Sequence, residues 1–429
     1  MRVHLRMLGC RLNQSEIDMM ARQFEQQGHT ITDNPDEAEQ IIVNTCAVTH
    51  GASRSSRKLI RDLHNENTDA DITVTGCYAQ IKPDDIAVMP GVSQVVSNAE
   101  KAGIVTSITG QDVEPYDVEP HARDSRLPGY GARTRAFVKV QDGCDNACTF
   151  CVTTVARGDG QSRASDEIIN EIRHLHEGLG YQEAVLTGVH LGSYGHDLDN
   201  QAGLLELVQR ILQEAEIPRL RLSSLEPWDL AEGFFDLWQD NRLQPHLHLP
   251  LQSGCDATLK RMRRNTSQAD FRALMHAARE KIPHVRITSD VIVGFPGETE
   301  AEWQDSFGFI QEMGFDSLHA FRYSVRQGTP AARMRGKVQN AVKKERIGQL
   351  LAWASEREQK FAEQYMGEQL TVLWENVSGA SDTGFNQTGY SENYIRVETT
   401  HPRVLSNLIT LARVDSVVDG VAHVTPVIE

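Results

Sequence analysis

The sequence predicts an α/β protein in three parts. These are an N-terminal open parallel α/β sheet (residues 1–115), a central partial (β/α)6 barrel (134–366) and a small C-terminal OB-like β-barrel (367–429), with a linker at 116–133. Three observations predict it. The 429 residues are enough for about three domains at roughly 150 residues each. Short apolar strands alternate with amphipathic helices up to residue 366, which implies parallel pairing. Beyond 366 the helical period gives way to short strands divided by glycine and Asx residues.

In the first part, apolar and polar residues alternate over 3–8, as in a strand. Ser15 offers a helix N-cap, with Ile17, Met20 and Phe24 at helical spacing up to Gly28. Residues 40–44 and 71–75 read as strands, with an arginine-rich helix at about 53–63 between them. Prolines, glycines and charges without period then run up to residue 133.

In the second part, strands are expected at 136–140, 183–187, 219–223, 247–250, 286–293 and 317–323. One helix takes Ser165 as N-cap and buries Ile168, Ile172, Leu175 and Leu179. Another opens with a capping box from Thr299 to Glu302 and buries Trp303, Phe307, Ile310 and Met313. Six βα units are two short of a closed eight-fold barrel, so an open one is expected. A helix at 341–365 closes this part. In the third part, 370–374, 394–399, 408–414 and 421–424 read as strands of the small barrel.

Composition bounds the function. With 24 % charged and 40 % hydrophobic residues the chain is neither disordered nor fibrous. No run of 18 apolar residues suggests a membrane span. The N-terminus has no signal-peptide layout, so a cytoplasmic location is expected. There are 43 basic and 59 acidic residues, a formal charge of -16. On its face that argues against a nucleic-acid partner, since phosphate binding needs lysine and arginine. Seven cysteines, an odd number, do not suggest a disulfide framework. In a reducing compartment they are free to ligate metal or to be buried.

Six of the seven form two triplets. Cys144, Cys148 and Cys151 follow the first barrel strand with C-x3-C-x2-C spacing. Such a loop can present three thiolates to a cuboidal iron–sulfur cluster and leave the fourth iron open. A structural zinc wants four ligands, and no fourth cysteine or histidine follows nearby. Thiolate-only sites select zinc or iron–sulfur. Cys10, Cys46 and Cys77 each follow the carboxyl end of an expected parallel strand. Those ends share one sheet edge, where ligands bind. Gly9 and Gly76 precede two of them and let the backbone approach a bulky group. Cys255 is left over.

C-x3-C-x2-C after the first strand of a six-unit barrel resembles the radical S-adenosylmethionine (SAM) enzymes. Residues 8–14 (LGCRLNQ), 44–48 (NTCAV), 75–80 (TGCYAQ) and 250–254 (PLQSG) extend the resemblance to the methylthiotransferase family over nearly the whole chain. That family has an N-terminal three-cysteine domain, a radical SAM barrel and a C-terminal TRAM barrel. The resemblance implies two 4Fe-4S clusters, one on Cys144, Cys148 and Cys151 that chelates SAM, and an auxiliary one on Cys10, Cys46 and Cys77. These six residues are the catalytic and metal-binding candidates.

Residues 186–195 (LTGVHLGSYG), 135–144 (RAFVKVQDGC), 222–227 (LSSLEP), 246–252 (HLHLPLQ) and 288–297 (TSDVIVGFPG) resemble the branch acting on N6-threonylcarbamoyladenosine 37 of tRNA. The other branches act on isopentenyladenosine 37 or on a ribosomal-protein aspartate. A non-catalytic alternative is a metal-stabilised RNA-binding protein. Where the family commonly reads IIPYARG after the third cysteine, residues 152–158 read VTTVARG. The resemblance implies tRNA, through its anticodon stem-loop, and an electron donor such as flavodoxin or ferredoxin as partners.

Barrel sites lie at strand carboxyl ends, which makes Gly188, Ser223, Glu226, Gln252 and Asp290 the SAM-binding candidates. His190, His246 and His248 are expected to be structural or to line the pocket. Arg157 and Arg163 are candidates for a substrate carboxylate or a phosphate. Residues 367–429 hold three basic residues, Arg396, Arg403 and Arg413, against eight acidic ones. Basic clusters lie elsewhere: Arg54, Arg57, Lys58 and Arg61; Lys260, Arg261, Arg263 and Arg264; Arg333, Arg335 and Lys337. Trp374, Phe385, Tyr390 and Tyr394 either stack on bases or fill the small barrel.

Overall fold

A computed structural model describes residues 1–112, 127–128, 131–198 and 203–428. Most of the linker expected at 116–133 lies outside the described residues. The first part is a parallel sheet of β1 (Arg2–Met7), β2 (Thr30–Ile31), β3 (Gln40–Thr45), β4 (Asp71–Gly76) and β5 (Val92–Val95), in the order β2-β1-β3-β4-β5. Successive side chains of a strand face opposite ways. Ile41 and Val43 of β3 therefore pack with Ile60, Leu63, Ile72 and Val74 on one face. Ile42 packs with Val3, Met20 and Phe24 on the other. β2 and β5 are too short to show a hydrophobic period and escape the sequence reading.

Two helix starts differ from expectation. Helix α1 is Arg11–Gln26 with Cys10 at its N-cap position, and Ser15 is buried inside it. The chain leaves β1 through Gly9 at φ +115°, a conformation open to glycine, so the helix begins at once. The helix expected to be capped by Ser165 spans Ser165–Arg173 with Ala164 at the cap. The Ser165 hydroxyl instead accepts from Arg210 Nη1 at 2.5 Å. The arginine-rich helix α2 is longer than expected, His50–Glu66, with Thr49 capping it through Ala52 N–H.

The second part is an open arc of six parallel strands: β6 (Arg135–Lys139), β7 (Glu183–Thr187), β8 (Arg219–Leu222), β9 (His246–His248), β10 (Arg286–Val293) and β11 (Ser317–Arg322). The first three form one sheet and the last three another. Isolated parallel bridges at Leu220–Leu243 and Ser224–His248 connect them. A large core including Val138, Leu186, Leu222, Leu247, Ile287, Trp303 and Phe315 fills most of this part, beside a smaller cluster of Met262, Phe295, Tyr323 and Ala331. The Thr299–Glu302 capping box forms on the helix Glu300–Met313. Phe307 is only partly buried there and stacks on Trp303.

The third part is a closed barrel of β12 (Gln369–Ser381), β13 (Gly384–Ser391), β14 (Arg396–His401), β15 (Ile409–Val418) and β16 (Val421–Val427), ordered β12-β13-β14-β16-β15. β13 is polar in sequence, which hides it. Its Gln387 is buried because the side-chain amide donates to Arg403 O and accepts from Leu405 N–H. Trp374 fills the centre of the barrel.

Tyr390 and Tyr394 do not face solvent as a base-stacking platform would. They dock the small barrel onto the amino-terminal ends of the large barrel's strands. The Tyr394 ring stacks on His246 and on Tyr390, each at 4.7 Å, and the Arg221 guanidinium lies 4.5 Å from its centroid. Its hydroxyl accepts from Arg135 at 2.6 Å and from Arg11 at 2.9 Å. All three parts of the chain meet at this side chain. Among the described residues, no helix is long and apolar enough to cross a membrane.

Candidate active site

The 144–151 loop follows β6 after Gln141 and Asp142, which pair with Gln161 and Ser162. Gly143 stands at φ +67°, and a Cβ there would lie 1.8 Å from Asp159 O, so only glycine fits the turn. The three thiols converge: the Cys148 ionisation feels Cys151, and that of Cys151 feels Cys144. Burial pushes the Cys148 thiol up to about 11, against the pull of Arg264. Arg264 Nη1 lies 4.0 Å from Cys148 Sγ. Its guanidinium pairs with Glu226 and covers the Trp228 ring at 4.4 Å.

His190 supports the loop from β7. Its Nε2 lies 2.5 Å from Asp229 Oδ2, and Asn146 Nδ2 approaches its ring. Burial opposes charge on this imidazole, but the bonds to Asp229 and Cys144 outweigh it and raise the pKa to about 10.

The dispersed cysteines also converge. A Cβ on Gly9 would lie 2.9 Å from Cys46 Cβ, so glycine lets the Cys10 loop touch the Cys46 loop. Asn13 ties the same loops together, donating to Leu8 O at 2.7 Å and Thr45 O at 3.2 Å. Cys10 and Cys46 each feel Cys77 in their ionisation, and burial pushes both thiols up. Cys46 and Cys77 are buried; Cys10 is exposed by area although protein atoms crowd its thiol. Cys255 is buried at the N-cap of the helix Asp256–Met262.

Between the triplets lies a buried charge network that the sequence reading missed. Arg157 Nη1 donates to Glu16 at 2.9 Å and to Asp142 at 2.8 Å, and Nη2 donates to Asn13 Oδ1 at 2.7 Å. Glu16 also pairs with Lys101 at 2.7 Å and Lys139 at 3.8 Å. Burial alone would raise the Glu16 carboxyl, but the three cations hold it well below the usual carboxylate range. Lys139 inside an apolar strand was the available sequence signal, because buried charge needs partners. Arg163 is likewise committed, donating to Glu171 and Lys139 O at 2.7 Å each. Neither arginine is free for a substrate carboxylate.

The five SAM candidates fall in different surroundings. Gly188 packs against Gln141, where a Cβ would meet Oε1 at 3.1 Å. The Ser223 hydroxyl is buried with no hydrogen-bond partner among the described residues, which leaves it able to take a polar ligand. Glu226 stands beside the cluster loop through Arg264. Gln252 adopts φ +69°, and its backbone bonds to Asp290 O and Ile292 N at 2.8 Å. The Asp290 carboxylate faces His248 and His319 at 3.3 and 3.2 Å.

Among the basic clusters, Arg264 is buried at the loop and Arg261 pairs twice with Glu302 at 2.8 Å. Arg54, Arg57, Lys58 and Arg61 are exposed along the side of α2 opposite the buried Ser56, Ile60 and Leu63. Arg333, Arg335 and Lys337 are exposed too. Arg326 donates to Val48 O at 3.1 Å, joining the loop after β11 to the chain beside Cys46.

Three thiols in each group, with no fourth cysteine beside either among the described residues, fit a cluster with one open iron. The Ser223 hydroxyl, without a partner among the described residues, fits a polar ligand such as SAM. Comparisons agree. Residues 2–97 match the model described as "Uncharacterized protein family UPF0004", and residues 138–310 match the Radical SAM superfamily. Threonylcarbamoyladenosine tRNA methylthiotransferase MtaB of Bacillus subtilis (strain 168) is 37% identical, covering 91% of this chain and 88% of its own. The Thermotoga maritima protein of the same name is 36% identical, covering 94% and 92%. A tRNA-2-methylthio-N(6)-dimethylallyladenosine synthase of Staphylococcus haemolyticus is 31% identical, covering 92% and 79%.

In fold the chain is similar to TsrM, a radical S-adenosylmethionine methyltransferase from Kitasatospora setae solved with cobalamin and a [4Fe-4S] cluster. The TM-score is 0.56 at 16% identity, with 77% of each chain covered. The cobalamin-dependent radical enzyme OxsB gives 0.52 at 11% identity, covering 81% of this chain and 56% of that one. Two convergent thiol triplets in one chain and relatives above 30% identity over most of its length lead to one conclusion: the chain belongs to the MtaB-type radical SAM methylthiotransferase family.

Proposed function

We propose that this enzyme inserts a methylthio group at C2 of N6-threonylcarbamoyladenosine 37 in tRNA. The observation that carries the reading is the convergence of Cys10, Cys46 and Cys77 on one sheet edge, tied through Arg157 to the Cys144–Cys151 loop. When bound, a cluster on Cys144, Cys148 and Cys151 supplies the one-electron reduction that splits SAM, and an auxiliary cluster on Cys10, Cys46 and Cys77 supplies the sulfur. The C2–H bond is inert to acid–base chemistry, which is why a radical is needed. The protein's task is placement. Ser223 and the Glu226–Arg264 pair bind and orient SAM beside Cys148. His190, held by Asp229, fixes the cluster loop through Asn146.

The stem-loop docks on the exposed basic faces rather than on the small barrel. The side of α2 bearing Arg54, Lys58 and Arg61 follows Cys46 in the chain, and the stretch with Arg333, Arg335 and Lys337 follows Arg326, which bonds Val48 O beside Cys46. The small barrel is net acidic and uses its paired tyrosines for docking. A one-electron donor of the flavodoxin or ferredoxin kind completes the system.

Nucleoside mass spectrometry of tRNA from a deletion strain tests the substrate. Loss of the methylthio form of threonylcarbamoyladenosine is expected. Loss of the dimethylallyl counterpart instead would move the chain to the other tRNA branch, as would methylthiolation of a ribosomal-protein aspartate to the third.

A further inference from the structure

We propose that Arg157 is a positioning residue for the auxiliary cluster, a fixed positive charge that sets the cluster's reduction potential and is itself held by Glu16 and Asp142. The proposal rests on the functional reading above and names a device inside that site.

Arg157 ends the short helix Thr153–Arg157, which begins two residues after Cys151. That helix belongs to the barrel segment but is embedded in the N-terminal part. Its Ala156 is buried with Ala47, Cys77 and Tyr78, and Asn98 Nδ2 donates to Ala156 O at 2.6 Å. The Arg157 side chain is 2% exposed. It arrives at the dispersed cysteines along the bond to Asn13 Oδ1, and Cys10 Sγ lies 3.8 Å from that same oxygen.

Arg157 is bonded to the carboxylates of Glu16 and Asp142, and Glu16 also pairs with Lys101 and Lys139. The guanidinium stands in a buried place where fields are poorly screened, next to three thiols that must be thiolates to ligate iron. A positive charge there stabilises the more negative, reduced state of any cluster held beside it. Arginine suits this role because its guanidinium stays protonated when buried. Its fork also takes Asn13, Glu16 and Asp142 at once, which a lysine ammonium does with less geometric constraint.

The test isolates the auxiliary cluster in the full chain with Cys144, Cys148 and Cys151 all changed to alanine, reconstituted anaerobically. Its midpoint potential is read by EPR-monitored titration. Arg157→Met is expected to move the potential negative. Asp142→Asn, which removes an opposing charge on a side chain 28% exposed, is expected to move it positive. Arg157→Lys is expected to stay near the parent value. Shifts of opposite sign separate an electrostatic role from a packing role, which would not reverse with the sign of the deleted charge. Should Arg157→Met fail to fold, the Asp142→Asn shift against Arg157→Lys carries the decision. Unchanged potentials, or shifts of one sign in both charge-deleting variants, overturn the proposal. Absence of any reducible cluster in the parent would instead overturn the functional reading.

Discussion

Replacing Tyr394 with phenylalanine removes one oxygen and keeps the ring. That oxygen accepts hydrogen bonds from Arg135 at 2.6 Å and Arg11 at 2.9 Å. Hydrogen bonds to charged donors contribute about 1.5–3 kcal/mol each, and two sharing one oxygen are not additive. The expected cost is about 2–4 kcal/mol, borne by the docking of the small barrel rather than by its own fold. The amides to follow are Tyr394 N–H, bonded to Ser391 O at 3.0 Å, and Ile395 N–H, bonded to the Ser391 hydroxyl at 2.8 Å. At 1.4 kcal/mol per tenfold change, their hydrogen exchange should speed up roughly a hundredfold. Amides in β15 and β16 should change little.

pH adds a second axis. Burial raises the Tyr394 phenol, but Arg135, Arg11 and Arg221 outweigh it and hold it below its ordinary value. An acid with a lowered folded pKa contributes fully above its unfolded value, about 10 for tyrosine. That contribution is lost as pH falls through the folded value. The gap between wild type and Tyr394→Phe should therefore widen as pH rises toward 10. Unchanged exchange at 394 and 395, or a gap that narrows with rising pH, refutes the reasoning.

Four further outcomes are expected. Cys148→Ala should abolish SAM cleavage, whereas Cys77→Ala should leave uncoupled cleavage but no sulfur transfer, both measured by chromatography of nucleoside products. Ser223→Ala should weaken SAM binding about 3- to 10-fold by calorimetry, the loss of one hydrogen bond, with thermal stability kept because the hydroxyl has no partner among the described residues. Arg264→Leu should leave Glu226 unpaired at the cluster loop and lower SAM cleavage by at least about tenfold, the scale of an unsatisfied buried charge, with iron content measured in parallel. Gly76→Ala should destabilise the N-terminal part by about 1–3 kcal/mol, read by chemical denaturation. At Gly76 φ is +96°, and a Cβ would lie 2.4 Å from Asn44 Oδ1 and Thr45 O.

Local signals made much of this molecule legible. A run such as 183–187 declares a buried strand, and the three cysteines at strand ends declare a shared edge because parallel strands end on one side. What stayed hidden depends on contacts far apart in sequence. Glu16 and Lys101 look like ordinary surface charges until the fold buries them 2.7 Å apart. Arg264 sits in a basic run that reads as solvated, and only its neighbours Lys260 and Arg263 are exposed. Tyr394 looked equally suited to stacking on RNA or to filling a core. Its role at the junction of all three parts follows from Arg135, Arg221 and Arg11, which no local pattern connects to it.

The helix Thr153–Arg157 works as a spacer gauge. One end of its segment is anchored by a ligand of the compact triplet, Cys151, and the other reaches the dispersed triplet through Arg157. An α-helix advances 1.5 Å and turns 100° per residue. One residue inserted between 152 and 156 would swing Arg157 away from Asn13, Glu16 and Asp142 while leaving both cysteine patterns intact. The exposed Val155 can therefore vary, but the length of this interval cannot. The offset between the two cysteine triplets is thus written in a residue count rather than in a residue type.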